Sequence, residues 1–548
     1  MNGVLFQGFH WFLATNFPGS NGRNLWQFLA GEADHLRSIG ITAVWMPPAY
    51  RGANRTGVGY DVYDHYNIGE FPAHKDSNVA TRYGTQADLK AAVTALHGNG
   101  QNQSIGVYAD IVLNHKTGGD ESDGFWEAIR VEKHDRTLER WGAGWEEGKI
   151  EVKSYTKFQY PERGGRYSAF TWEAKHFDSV DTVTNIRQHN NNFTDSGSYI
   201  YRFLYNELGY EPHIKNFERW VDLEKGNFDF FTACDFDYGR PDVRAEMKAW
   251  GEWYIREFGF DGVRLDAVKH ISAGYIREWL GHVRHHTGKN LFAVAEYIPQ
   301  TLSTLHGYIE EVSTRGDYPQ TVSLFDFPLF FKFRELSWQG DRYSLANLFG
   351  DTLVAEQPAL AVTFVENHDY EFGRDPDSHV KDWFKPLAYA FILLRKDGYP
   401  CVFFPDYYGS VDHDVHKGYQ IGKAYLQLLL KLRKQFALGE EQSFVQHTVA
   451  GWMRLGFVPG AKGAMAVVIN TAYNRVQAIR MHTARPFTQF YHLATIRHTP
   501  GGYLVVRGAY EVYGNKEQGL WTDHNGWADF VADGGAVSIW LEAGTVLE

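Results

Sequence analysis

The sequence predicts an α/β protein of three parts: a (β/α)8 TIM barrel, a subdomain inserted after the third strand, and a C-terminal antiparallel β-sandwich domain. Three observations support this prediction. Apolar runs alternate with amphipathic helical stretches through residue 437, this alternation breaks once, and residues 438–548 change to short alternating apolar segments. A chain of 548 residues also exceeds the size of a single hydrophobic core, so several domains are expected.

The barrel is predicted from eight apolar runs that have the length of buried strands. Between them, apolar residues recur at helical spacing, as from Leu25 to Leu36 and from Val243 to Phe258. Eight strand–helix units favour closure into a barrel. An open doubly wound sheet is the alternative, but no glycine-rich dinucleotide turn follows the first run. The runs are Leu5–Phe12, Ile41–Pro47, Ile105–Leu113, Gly262–Val268, Leu291–Tyr297, Val322–Phe327, Ala359–Val365 and Pro400–Phe404.

Two further regions complete the predicted organisation. A segment rich in Gly, Asp, Asn and aromatic residues interrupts the alternation between residues 114 and 241. It is too long to be a structureless loop in a compact domain, so it is predicted to be an inserted subdomain. The predicted boundaries are 1–113 and 242–437 for the barrel, 114–241 for the insert and 438–548 for the C-terminal β-domain.

Composition narrows the function classes. A formal net charge of −12 argues against a nucleic-acid or anionic-membrane partner and favours a neutral substrate. No run of about 18 apolar residues exists, so no membrane span is expected. The start Met-Asn-Gly-Val-Leu-Phe-Gln lacks the features of a secretory signal. We therefore expect a monomer that is cytoplasmic if the chain is complete as given, and secreted if a signal peptide was removed.

Three acids lie at the downstream ends of separate apolar runs: Asp266, Glu296 and Asp369. A carboxylate at the end of a buried strand must be desolvated, so it is kept only if it is paired or used. The carboxyl ends of barrel strands form one mouth, where these acids are expected to converge with the third-strand segment Asp110–His115 and with His368.

The neighbours of Asp266 and of Glu296 are predicted to shift the pKa values of these acids in opposite directions. Arg264 and Asp266 are two apart on a strand, so their side chains share a face, and the guanidinium is predicted to lower the pKa of Asp266, as a nucleophile requires. Glu296 follows an apolar run that is predicted to raise its pKa, as a general acid requires. A buried ion pair and a solvent-reaching Glu are the structural alternatives. Retaining glycosidases combine one ionised and one protonated carboxyl group roughly 5 Å apart.

Four segments resemble the signature regions of the α-amylase family, glycoside hydrolase family thirteen, and their order and spacing match. The likeness covers nearly the whole chain and is greatest to the liquefying α-amylases and their intracellular fungal relatives. It implies cleavage of α-1,4-glucosidic bonds with retention, with Asp266 as nucleophile, Glu296 as acid/base, Asp369 as transition-state stabiliser and Arg264 as partner of the nucleophile. The segments are Asp110–His115, Gly262–His270, Ala295–Tyr297 and Phe364–Asp369.

The same resemblance implies a set of substrate-binding residues. Tyr60 would stack on the sugar at the cleavage point, and His115, Lys269, His270 and His368 would bind hydroxyl groups of neighbouring sugars.

The resemblance also implies a structural calcium ion between the barrel and the insert. Its ligands would be Asn114, Asp229, Asp235 and the main-chain carbonyl of His270, all of which supply oxygen atoms. Asp178 and Asp237 match a second cation site in the liquefying enzymes. Two further acids of that second site are replaced by Gly239 and Glu218 here, so its presence stays open.

One departure from the family pattern affects the predicted activity. Ile298 stands where related enzymes carry a Trp that supports sugar on the leaving-group side. The first hypothesis is an endo-acting α-amylase on starch, glycogen or maltooligosaccharides. The alternative is a 4-α-glucanotransferase, which uses the same covalent intermediate. A non-catalytic binding subunit is a third possibility, but such proteins typically lose one of the acids, and all three are present here.

Overall fold

The structure is a computed structural model of the chain. The residues it describes are 2–14, 17, 19–73, 76–100, 102–136, 149–188, 191–192, 197, 199–205, 213–214, 221–314, 320–374, 378–410, 421–456, 462–508 and 519–547.

Eight parallel strands close into a barrel in chain order, with the last strand pairing with the first. Seven of the eight predicted runs contain one of these strands, and the eighth strand begins one residue before its run, so the predicted barrel is confirmed. All eight strands are buried throughout or at all but their first residue, as expected for strands covered by helices on the outside. The strands are β1 Leu5–Gln7, β2 Ala43–Met46, β3 Gly106–Ile111, β4 Gly262–Leu265, β5 Phe292–Ala295, β6 Ser323–Phe325, β7 Ala361–Phe364 and β8 Tyr399–Phe403.

Helices cover the barrel. The longer first, third and fourth helices each bury one apolar face, whereas the eighth helix is buried along its whole length. The apolar residues predicted to form the inner faces of the first and third helices are buried. Local sequence fixes the ends of the third helix, which begins at Pro241 and stops at Gly259 with φ 76°. No helix among the described residues is long and apolar enough to cross a membrane. The helices are α1 Leu25–Ser38, α2 Gln86–His97, α3 Pro241–Phe258, α4 Ala273–Thr287, α5 Leu302–Thr314, α6 Phe327–Gln339, α7 Leu353–Glu356, α8 Lys385–Leu394, α9 Phe404–Tyr408 and α10 Lys423–Gln435.

The insert forms an antiparallel sheet that leaves and rejoins the barrel at one place. Its first strand, which directly follows β3, pairs with its last strand through His115 and Asp235, shortly before α3. This pairing brings acids from the end of the insert beside the third-strand segment at the barrel mouth. The strands are His115–Lys116, Trp126–Glu132, Lys149–Lys153, Phe177–Val180, Asn185–Gln188, Asn191–Asn192, Tyr199–Tyr205, His213–Ile214 and Cys234–Phe236.

The C-terminal region is a sandwich of two antiparallel sheets, as predicted. Along the strand Met465–Asn470, Met465, Val467 and Ile469 join the core shared with the barrel, whereas Ala466 and Val468 pack in the core between the two sheets. This strand of the larger sheet is therefore buried on both faces. Its strands are Glu441–Val445, Val449–Arg454, Met465–Asn470, Gln489–Thr499, Gly502–Arg507, Leu520–Trp521 and Ala536–Glu542, and the smaller sheet pairs Gln477–His482 with Trp527–Ala532.

The insert sheet and the C-terminal sheets begin and end close to the predicted domain boundaries. The insert sheet runs from His115 to Phe236, and the C-terminal sheets begin at Glu441 after α10 ends at Gln435. The exact boundaries stay a prediction.

Candidate active site

Asp266 and Glu296 each lie one residue beyond a barrel strand, and the strand hydrogen-bond ladder extends to hold both. The Asp266 amide donates to the Ile111 carbonyl and the Glu296 amide donates to the Leu265 carbonyl, each at 2.9 Å. After Asp266 the chain turns sharply, because Ala267 adopts a left-handed conformation with φ 48°. The backbone thus fixes the main-chain positions of both acids at the barrel mouth.

One guanidinium group joins three carboxylates from three strands. Nη1 of Arg264 donates to Asp266 Oδ1 at 2.5 Å and to Asp110 Oδ1 at 3.0 Å, while Nη2 donates to Glu296 Oε2. The strand register makes this possible, since Arg264 stands opposite Asp110 on the neighbouring strand. All four side chains are buried. Asp266 and Glu296 are therefore held on adjacent nitrogens of one rigid group.

The charge balance of this cluster gives Asp266 a net pKa shift opposite to the predicted one. Burial raises the pKa of Asp266 well above its usual value; Arg264 opposes that rise, and the nearby Glu296 and Asp110 carboxylates add to it. Burial likewise raises the pKa of Asp110. Arg264 does lower the pKa of Asp266, as predicted, but the net shift is upward because one guanidinium is shared by three desolvated acids. Three carboxylates and one cation favour the uptake of a proton by the group as a whole.

Asp110 is the residue whose importance the sequence did not reveal. The sequence places Asp110 at the end of the third strand but indicates no catalytic or binding role for it. Its Oδ2 accepts hydrogen bonds from the Tyr60 hydroxyl at 2.7 Å and from Trp45 Nε1 at 2.9 Å, in addition to the contacts with Arg264. Asp110 therefore connects the predicted sugar-stacking ring to the guanidinium that holds the nucleophile.

Three rings lie nearly parallel beside the acids. Tyr60 and His368 stack with centroids 5.1 Å apart and planes 6° apart, and Trp11 lies 6.2 Å from Tyr60 at 8°. Gln7 Nε2 lies 3.0 Å from His368 Nδ1, and burial lowers the pKa of His368 well below its usual value, so the ring is neutral. Sequence reasoning missed Trp11, although it lies within the first predicted run, towards its carboxyl end.

Asp369 is connected to the site through His368. Its Oδ2 lies 3.4 Å from His368 Nε2, and its Oδ1 accepts a hydrogen bond from Arg374 Nη2 at 3.4 Å. The following loop is anchored by Glu371, which accepts a hydrogen bond from the Trp11 amide at 2.6 Å. The ends of β1 and β7 are thereby tied together next to the acids.

The other predicted sugar-binding residues contact protein groups. Lys269 Nζ donates to the Ile298 carbonyl at 3.0 Å and to Glu224, and it lines a cleft of about 450 Å³. His270 Nδ1 donates to the Phe228 carbonyl at 2.6 Å.

His115 is buried and contacts the backbone of the predicted stacking residue. Its Nε2 donates to the Tyr60 carbonyl at 2.8 Å. Burial lowers the pKa of His115 to about 4 and that of His270 to about 3, so both rings are neutral at pH 7.

The predicted calcium ligands include a compact carboxylate group. Asp178, Asp229 and Asp235 are buried, and one oxygen from each lies within 4.8 Å of the others. Three buried carboxylates this close repel one another, and an all-oxygen donor set matches a hard divalent cation. Asp178, predicted for the second cation site, thus lies with two acids predicted for the first.

The remaining predicted ligands have other contacts. Asn114 Oδ1 lies 3.3 Å from His115 Nδ1, and Asp237 Oδ1 accepts a hydrogen bond from the Gly239 amide at 3.0 Å. Glu218, considered for the second site, lies outside the described residues.

A barrel that presents two carboxyl groups on one arginine at the carboxyl ends of its strands has the layout of a retaining glycoside hydrolase. The family described as "Alpha amylase, catalytic domain" matches residues 14–189. The chain is 37% identical to an α-amylase of Geobacillus stearothermophilus over 100% of this chain and 88% of the relative. It is 36% identical to the cytoplasmic α-amylase of Escherichia coli K12 over 98% of this chain and 99% of the relative.

Among solved structures, an α-amylase from Geobacillus thermoleovorans complexed with acarbose matches with a TM-score of 0.60 at 15% identity, covering 99% of this chain and 98% of that chain. This structural likeness supports the fold. The chain belongs to the α-amylase family.

Proposed function

We propose that the protein is a retaining, endo-acting α-amylase that hydrolyses α-1,4-glucosidic bonds in starch, glycogen and maltooligosaccharides. The observation that carries this proposal is the Arg264 guanidinium, which holds Asp266 and Glu296 together at the barrel mouth. The two carboxyl groups are separated by one guanidinium and two hydrogen bonds, which suits a double displacement better than the wider spacing of an inverting enzyme.

The reaction has two steps. Glu296, protonated, gives its proton to the glycosidic oxygen while an Asp266 carboxylate oxygen attacks the anomeric carbon, so the C–O bond to the leaving sugar breaks and a glycosyl ester forms. Glu296, now ionised, then takes a proton from a water molecule that attacks the same carbon. The ester breaks, Asp266 is released, and the product keeps its α configuration.

The hydrogen bonds of the structure suggest how the proton is placed. The three carboxylates around Arg264 carry an excess of negative charge, which favours one bound proton. A sugar that enters the site displaces water and approaches both acids, and we propose that Oε1 of Glu296 delivers the proton to the glycosidic oxygen while Oε2 stays on Arg264 Nη2. Asp266 keeps its own bond to Nη1 and remains ionised as the nucleophile.

The surrounding residues have positioning roles in this proposal. Tyr60, held by Asp110, offers its ring to the sugar at the cleavage point, and the neutral His368 donates to a hydroxyl of the same sugar. Asp369 stabilises positive charge at the anomeric carbon. Lys269 and His270 lie on the side of Ile298, where the leaving sugar would bind.

We also propose a structural calcium ion held by Asp178, Asp229 and Asp235 with oxygen atoms of Asn114 and the His270 carbonyl. Calcium would neutralise the three carboxylates and so stabilise the junction of the insert with the barrel. Asp237 is a candidate ligand for a further cation. By analogy with the E. coli relative, which is named a cytoplasmic α-amylase, we propose that the protein is cytoplasmic. We further propose a monomer, and the net charge of −12 supports the proposal that it binds neither nucleic acid nor an anionic membrane.

The product profile on soluble starch, with and without a calcium chelator, tests this proposal. We expect reducing sugars and a mixture of short oligosaccharides from the first minutes, and a slower reaction after chelation. Incubation with maltopentaose distinguishes hydrolysis from glucan transfer, because transfer would give longer oligosaccharides without reducing-sugar release. The names of the relatives favour hydrolysis. Transfer without net hydrolysis would overturn the proposal.

A further inference from the structure

Two neighbouring helices carry a group of metal-ligand side chains away from the carboxylate groups described above. Glu252 lies on α3, and His282 and His286 lie on α4. One ligand atom from each of the three lies within 4.8 Å of the others. The two histidines are four residues apart, so they share one side of α4, and their rings stack with centroids 3.9 Å apart.

Each of the two histidines can present a ring nitrogen to a metal ion beside Glu252. His286 Nδ1 donates to the His282 carbonyl at 2.9 Å, which leaves the lone pair on its Nε2. His282 Nε2 lies 3.4 Å from Glu252 Oε2, so this nitrogen faces the carboxylate.

The carboxylate is oriented by an arginine on its own helix. Glu252 Oε1 lies 3.2 Å from Arg256 Nη2, while Oε2 is the oxygen that faces His282. The two oxygens therefore have separate partners, and a cation at Oε2 does not require Arg256 to leave. A second cation on this face, Lys248, is paired with Glu278 at 2.8 Å. Such outer contacts are typical of ligands held ready for a metal.

We propose that Glu252, His282 and His286 form a binding site for a divalent transition metal, with Zn²⁺ as the best match. Two imidazole nitrogens and one carboxylate oxygen are a zinc donor set, and water would complete the tetrahedron. Calcium prefers oxygen ligands alone, so this site is chemically distinct from the Asp178, Asp229 and Asp235 group. The competing explanation is a simple ion pair between His282 and Glu252.

The position of the site gives it a structural consequence. Helix α3 leads into β4, which carries Arg264 and precedes Asp266, and α4 leads into β5, which precedes Glu296. A metal that joins the two helices stabilises their packing beside the strands that carry the acids. The ligands are contributed by the folded helix pair, so zinc would bind the native state and raise the melting temperature.

Zinc titration of four proteins tests the proposal, with calcium kept saturating throughout. The proteins are wild type, His286→Ala, Glu252→Gln and the matched control His285→Ala, which removes an exposed neighbouring histidine outside the group. We expect wild type and His285→Ala to bind one zinc by calorimetry and to gain about 2 °C or more in melting temperature. His286→Ala and Glu252→Gln should bind at least about 10-fold more weakly.

Co²⁺ supplies an independent readout. The visible absorption bands of tetrahedral cobalt should appear in wild type and His285→Ala and be absent in His286→Ala. Equal zinc uptake by all four proteins would overturn the proposal, because the metal would then lie on other histidines. No zinc uptake by wild type would overturn it as well. Neither readout uses starch hydrolysis, so the result is independent of the proposed activity.

Discussion

Replacing Arg264 with Lys tests whether one guanidinium positions both catalytic acids. The substitution keeps the positive charge but replaces a planar fork with a single point donor. An ammonium group can stay beside Asp110 and Asp266, which share Nη1, but it cannot also hold Glu296, which is bound by Nη2. The substitution therefore removes the charge-assisted hydrogen bond to Glu296, which is worth about 1.5–3 kcal/mol.

That loss corresponds to a decrease in kcat/KM of about 10- to 150-fold on a maltooligosaccharide substrate. The matched control is Arg163→Lys, since Arg163 is equally buried and bonds Asp64 at 3.1 Å in a pair outside the group of acids. Both variants should lose stability in thermal unfolding, but only Arg264→Lys should lose most of its activity. If Arg264→Lys keeps wild-type kcat/KM, or if both variants lose activity equally, the reasoning is refuted.

Three further predictions concern other parts of the molecule. Ile298→Trp should strengthen binding of long maltooligosaccharides, because Ile298 is 36% exposed beside the proposed leaving-group side and a ring there can stack on sugar; unchanged affinity and product pattern would count against this. Calcium should raise the melting temperature of wild type more than that of Asp235→Asn, and equal shifts would exclude Asp235 as a ligand. The pKa of His115 is about 4 in the folded state and about 6.5 when unfolded, so its contribution to stability is present above pH 6.5 and lost as the pH falls. The difference in unfolding free energy between wild type and His115→Gln should therefore decrease by about 2 kcal/mol from pH 6.5 to pH 5, and a constant difference would contradict the assignment.

Much of the barrel could be predicted because its signals are local. Each buried strand is an apolar run, and the helices between them repeat apolar residues on one face, as from Val243 to Phe258. The positions of Asp266 and Glu296 follow from the same pattern, since residues after parallel strands meet at one edge. The strands that the structure describes in the insert carry no comparable pattern, because polar and aromatic residues are mixed along them.

The electrostatics of the site could not be predicted from neighbouring residues. Arg264 and Asp266 are two residues apart and share one face, which predicts a lowered pKa for the acid. Whether Asp110 also reaches Arg264 depends on the register between β3 and β4, which the sequence does not determine. That third carboxylate, with Glu296, changes the balance between attraction and desolvation.

Trp11 could not be recognised as a site residue from the sequence, for a different reason. It follows β1 and stacks in line with Tyr60 and His368, so the rule that located the acids at strand ends also applied to it. Its aromatic side chain was read as part of an apolar run, since a ring that packs and a ring that binds sugar have the same local sequence signature.

The covalent intermediate provides the most direct test of the proposed chemistry. In Glu296→Gln, α-maltotriosyl fluoride supplies a leaving group that needs no proton, so the first step can proceed while the second step lacks its base. Mass spectrometry of the digested protein should find one maltotriosyl group on the peptide that contains Asp266. A sugar attached to Asp369, or rapid turnover with inversion at the anomeric carbon and no adduct, would contradict the assignment of Asp266 as nucleophile.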